Sequence, residues 1–203
     1  AAANANASLG DALAGSAVMR DVIEFAPGLT GTITLNGAEL FVNSDLQING
    51  PGAELITIDA NALSRIIRIE DPNLNNSDSP QVIISGLTLK GGNTGDVGDL
   101  HNDRSGGAIW SNANLTLDQV VINNNYANGS GGGIVSFHEL MIEDSTISNN
   151  SASTSSGGGI YCYYGKLTLS NCMLLDNTAV YGGGIDSYRT PTVIEYSTFS
   201  GND

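Results

Sequence analysis

The sequence predicts an all-β chain folded as a right-handed, single-stranded parallel β-helix of about seven coils, and three observations carry that prediction. A glycine-led tetrad recurs at Gly106-Gly107-Ala108-Ile109, Gly131-Gly132-Gly133-Ile134, Gly157-Gly158-Gly159-Ile160 and Gly182-Gly183-Gly184-Ile185. The isoleucines at 109, 134, 160 and 185 are spaced by 25, 26 and 25 residues, and a fixed period of that size marks a solenoid or a propeller. Nothing in this region has a helical period; "LTLDQVVI", "LMIEDSTI" and "LTLSNCML" alternate with period two instead. A four-stranded propeller blade takes about 40 to 45 residues, so a unit of this size fits only one solenoid turn.

The elements follow in chain order. Residues 1–20 read as an N-terminal extension with a short capping helix, because Leu9, Leu13 and Ala17 fall at helical spacing behind Ser8, an N-cap with Asp11 three residues on. Such a helix would close the open end of the core. Residues 21–203 read as a single β-helix domain. Its first half holds "VIEFA", "TITL", "ELFV", "LQI", "LITI", "RIIRI" and "VIISGLTL", short strands separated by Gly, Asn, Asp and Pro. Two polar interruptions, Asp71 to Pro80 and Asn93 to Ser105, lengthen a coil, and such loops are where solenoids tend to carry function. From Gly106 onward each unit runs from the tetrad through an alternating strand to an apolar residue three before Asn.

Coils of a parallel β-helix stack about 4.8 Å apart, so equivalent residues form ladders. Ile109, Ile134, Ile160 and Ile185 are expected as one inner ladder, and Asn125, Asn150, Asn177 and Asn202 as a turn ladder. Asparagine tolerates left-handed backbone, and its amide can bond the copies above and below. In the second strand of the first such unit, Leu115, Leu117, Val120 and Ile122 are the expected inward set. Gly is 26 of 203 residues and apolar content is 40%, enough for a thin continuous core.

The ordered combination of "SLGDAL", "IEFAPGLTGTITLNGAELFVNSDLQINGPGAELITI", "VIISGLTLKGG" and the later Gly-Gly-[Ala/Gly]-Ile and apolar-x-x-Asn repeats resembles bacterial surface proteins with polymorphic-outer-membrane-protein-type repeats. It is also similar to CSLREA-type extracellular β-helix proteins. The resemblance covers nearly the whole chain, from Ser8 to Asn202. It implies export to the cell surface and an adhesive or structural role, and it supplies no catalytic residues to carry over. The chain has no initiator Met and no basic, apolar signal sequence, and it stops at Asp203 directly after a repeat. The expectation is a processed or trimmed chain, or a last coil covered by another molecule.

Charge bounds the partners. With 21 acids against 7 bases the formal charge is −14, and the bases are scattered, which disfavours nucleic acid. No run of 18 apolar residues occurs, so no transmembrane helix is expected. Arg65 and Arg68 in "RIIRIE" could share an outward face as a pair of solvated arginines. Cys162 and Cys172 both point into the lumen of one coil, where a disulfide and two buried free thiols are equal alternatives. Their counterparts are Ser111, Ser136 and Ser187 for the first, and Val120, Ser145 and Ser197 for the second.

Asp96, Asp99 and Asp103, with His101, make "NTGDVGDLHNDR" the most chemically loaded loop. It lacks the order of known calcium loops, so it reads as a solvated loop or a weak calcium site; no other cofactor is expected. Outward columns hold Trp110, Phe137, Tyr161, Tyr163 and Tyr188, a candidate face for binding or assembly, or rings that merely cover their own sheet. The function expected is a non-catalytic, secreted structural or adhesive β-helix protein of the bacterial surface, a filament or sheath subunit among the forms this takes. Its partners would be copies of itself or surface glycans and proteins. The competing readings are a polysaccharide lyase or glycoside hydrolase sited at the Asn93 to Ser105 loop, and a module that binds neutral glycans.

Overall fold

Short parallel strands, each paired with the strand one coil away, generate the architecture. The computed structural model describes residues 20–72, 79–95 and 104–203. The capping helix expected in the N-terminal extension and the candidate calcium ligands Asp96, Asp99 and Asp103 lie outside the described residues. A representative coil runs through Asn114–Asp118, Val121–Asn123, Tyr126–Ala127 and Ile134–Ser136 before the next begins at Glu139–Glu143. Stacking such coils makes two seven-stranded sheets, one six-stranded sheet and a small three-stranded sheet, all parallel. That is a β-solenoid of six complete turns with two strands of a seventh. Among the described residues there is no helix, and so none able to cross a membrane.

Alternation sends one apolar column per register position into the lumen. On the first sheet Leu46, Val82, Leu115, Leu140 and Leu167 pair in line, and on the second Ile58, Leu89, Ile122, Ile147 and Leu174 do the same. The third sheet contributes Leu40, Ile67, Ile109, Ile134, Ile160 and Ile185. Most of these are fully buried, and each such aliphatic chain contributes about 1.5–3 kcal/mol relative to exposure. Strands of three residues could not persist alone; the continuous column is what holds them.

Two corner devices let the chain turn between sheets. Asn125, Asn150, Asn177 and Asn202 are stacked, each side-chain amide donating to the next Oδ1 at 2.9 to 3.0 Å. The same amides also donate to the carbonyls of Leu89, Ile122, Ile147 and Leu174, and each Oδ1 after the first accepts the backbone N–H of the Asn one coil back. At the other corner the tetrad needs glycine for two reasons. Gly157 sits at φ +67°, and a Cβ on Gly158 would strike the carbonyl of Gly183 in the next coil.

The lumen also holds small polar groups. Ser111 and Ser145 are buried and donate to nearby carbonyls of Ala113 and Glu143. Cys162 pairs in register with Ser136 and Ser187, while the backbone N–H of Cys172 donates to Ser197. Both cysteines are buried, and no bond joins them in this structure. The Cys172 thiol lies 3.3 Å from the carbonyl of Ile142 and 3.2 Å from that of Ser170, standing in for the corner serine. Burial pushes the Cys162 thiol up to about 12, and burial likewise raises that of Cys172.

Candidate functional site on the third sheet

No strand of the first or second sheet presents an aromatic side chain outward, whereas the outer face of the third sheet is rich in them. The reason is one of alternation: inward Ile, Ser and Cys in the strands Ile109–Ser111, Ile134–Ser136 and Ile160–Tyr163 leave the residues between them facing out. Phe41, Arg68, Trp110, Val135, Tyr161 and Asp186 form one outward column. Beside it Phe137, Tyr163 and Tyr188 continue the ring surface, with Tyr163 and Tyr188 in register.

The rings are mutually ordered. Trp110 and Phe137 are 5.4 Å apart between centroids, Phe137 meets Tyr163 edge-on at 6.2 Å, and Tyr163 stacks on Tyr188 at 5.4 Å with 10° between planes. Tyr161 and Tyr163 are also stacked, at 6.3 Å. Arg68 lies 4.7 Å above the Trp110 ring, and Arg189 lies 5.2 Å from Tyr188 and 5.5 Å from Tyr164. Each geometry falls within the range where ring pairs and cation–π contacts are attractive. Val135 faces outward yet is buried, so neighbouring side chains do cover part of this sheet. Tyr188 and Tyr164 remain open to solvent at 47% and 55%. The face therefore covers its own sheet at the middle coils and leaves rings open to solvent at the later ones.

All five ring residues expected from the sequence thus fall on this one face. Three further members were not singled out, Phe41, Tyr164 and Arg189, and Arg68, expected to face outward, belongs to the same face. Tyr164 packs edge-on against Tyr163 at 4.3 Å, and Arg189 Nη1 donates to its hydroxyl at 2.6 Å. A side-chain hydrogen bond with Tyr164 holds the Tyr163 phenol above its ordinary range, and burial followed by the Asp186 charge does the same for Tyr161. Both are therefore neutral hydroxyls at physiological pH, able to donate as well as accept.

The two arginines of "RIIRIE" do not form a solvated pair. Arg65 points into the corner, where its side chain is 1% exposed, pairs with Glu39 at 2.8 Å and donates to the carbonyls of Gly106 and Ser105. Arg68 faces out but is clamped between Trp110 and Glu70, the latter at 2.6 Å. Alternation with an intervening bulged corner, rather than a shared face, separates them: Ile66 and Ile67 are both buried. Among the described residues no group of three or more His, Cys, Asp or Glu side chains is placed to hold a metal ion. The concavity lined by Ile185, Ile194 and Phe199 is the core of the last coil viewed end-on.

With this geometry in place, the comparisons with known proteins become specific. Residues 144–163 match the family model of the Chlamydia polymorphic membrane protein (Chlamydia_PMP) repeat. Over those residues the chain is similar to a polymorphic-membrane-protein-type repeat. The matched segment runs from the corner at Asp144 through the ladder residue Asn150 and the tetrad to Tyr163, so it contains both corner devices and part of the ring face. No curated protein and no solved structure gives a significant match to the chain. The matched repeat and the parallel β-solenoid agree with each other.

Proposed function

We propose that this chain is a non-catalytic β-helix protein of the bacterial outer surface, acting as an adhesive or structural element through the outer face of its third sheet. The observation that carries the reading is the segregation of ordered, partly exposed rings to one of three long faces. A rigid solenoid presents such a row at fixed spacing, and exposed aromatic patches of this kind serve interfaces. The polymorphic-membrane-protein-type repeat supports the surface location.

The test uses beads coated with the protein, scored for retention on an immobilised polysaccharide panel and on a layer of the same protein. Replacing Tyr161, Tyr163 and Tyr188 together by Ala is expected to abolish retention while Tm moves by only a few degrees. Unchanged retention would overturn the reading, and loss of retention with collapse of Tm would mark the rings as mere sheet cover. Negative-stain electron microscopy of concentrated protein then separates the structural from the adhesive form: ordered filaments belong to the first, dispersed particles to the second. Release of reducing ends or unsaturated sugars from the panel would overturn the non-catalytic assignment.

A further inference from the structure

The repeat is broken at one corner, and that break gathers charge, strain and rings. Between the paired positions Ser136 and Glu139 lie two residues, Phe137 and His138; between their partners Cys162 and Lys166 lie three, Tyr163, Tyr164 and Gly165. The next coil keeps the longer form, because Cys162 pairs with Ser187 and Leu167 with Thr192. The added length turns the chain outward through Tyr164 at φ 65° and Arg189 at φ 53°. Left-handed backbone costs a residue with a Cβ roughly 1–2 kcal/mol, and such outliers concentrate where function requires them.

Arg189 is also one of three bases, with Arg20 and Arg104, that meet no carboxylate within 4 Å among the described residues, and of these it is the one set against aromatic rings. Arg65, Arg68, Lys90 and Lys166 each meet a carboxylate within 4 Å. Arg189, in a chain with 21 acids to 7 bases, meets none among the described residues. Its Nη1 is fixed by the Tyr164 hydroxyl, and the guanidinium rests against the Tyr188 and Tyr164 rings. This leaves Nε and Nη2 as a fork of donors with no acceptor among the described residues, the geometry that a carboxylate fills with two parallel hydrogen bonds. Around it stand the edges and hydroxyls of Tyr163 and Tyr188, in register one coil apart.

We infer that Tyr163, Tyr164, Tyr188 and Arg189 form a binding site for a carboxylate-bearing sugar within an acidic glycan, Arg189 taking the carboxylate and the tyrosines the pyranose. This rests on the adhesive reading of the third-sheet face and names its ligand class. The overall charge of −14 opposes a polyanion at long range, but at physiological ionic strength that field is screened beyond about 8 Å. Contact chemistry at the fork then decides the outcome, and affinity should fall as salt rises further.

The experiment is calorimetric titration of the whole chain with an oligoglucuronate hexamer and with its carboxyl methyl ester, which differ only in charge and fork geometry. The acid is expected to bind at least about tenfold more tightly than the ester, the size of one charge-assisted pair. Arg189→Gln should bring the acid down to the level of the ester, Arg189→Lys should recover only part of the loss, and Tm should be unaffected by either. Equal binding of acid and ester, or indifference to Arg189→Gln, overturns the carboxylate inference and leaves the adhesive face standing. Binding of neither sugar by protein whose coated beads are retained through the tyrosines overturns the sugar inference alone. If the triple tyrosine variant is retained like the parent as well, both readings fall.

Discussion

Tyr196 occupies the same corner position as Gly86, Gln119, Asp144 and Asn171, and all five have positive φ, from 47° to 58°. Asn, Asp and Gly accept that conformation cheaply, while a tyrosine does not. Unlike Tyr164, Tyr196 makes no ring contact among the described residues and is 88% exposed. Tyr196→Gly is therefore expected to raise stability by about 1 kcal/mol, read as a shift of the urea midpoint at constant slope. The contrast separates a strained residue that has partners from one that has none. The inward serines and cysteines were legible in the sequence because the repeat aligns them with one another. The fate of Arg65 was not, since neither Arg65 nor its partner Glu39 belongs to the repeated motif, and only the carbonyl of Gly106 among its acceptors does.

The asparagine ladder shows how much a single turn element supports. Asn150 accepts from the amide and the backbone N–H of Asn125, and donates to Asn177 and to the carbonyl of Ile122, all within a buried corner. Asn150→Ala strands those groups away from water at about 1–3 kcal/mol apiece for the ones left unpaired. A loss of at least about 3 kcal/mol in urea unfolding is expected, together with faster amide exchange in the two flanking coils and little change further away. Ladders of this kind could be read from spacing alone. So could the altered corner, though only from a second marker: the distance from tetrad isoleucine to ladder asparagine is 16, 16, 17 and 17 residues. The isoleucine-to-isoleucine spacing hides that step, because the segment from Asn177 to Ile185 is shorter than its predecessors and cancels it. Tyr164 and Arg189 escaped notice for that reason.

For the molecule as a whole, the core is thin and its titratable groups report on its integrity. Cys162 keeps its proton in the fold up to about 12, against 9.0 for the ordinary thiol. Between those values the unfolded chain has lost a proton that the native state retains, so stability falls as pH rises through that window and is complete below it. Urea midpoints are expected to decline from about pH 9 upward, and Cys162→Ser should flatten part of that decline; Cys172, Tyr161 and Tyr163, all raised as well, contribute with the same sign. The parallel architecture was legible throughout because it is periodic; of the proposed ligand site, Tyr163 and Tyr188 were legible and Tyr164 and Arg189 were not, because these two lie where the period fails. That failure has a consequence of its own. The extra residue at Tyr164 is absorbed without disturbing the pairing of Cys162 before it or Lys166 after it. Such a corner behaves as an interchangeable cartridge: its length and side chains can be rewritten while the barrel of stacked isoleucines stays in register, so specificity can diverge among relatives that share one scaffold.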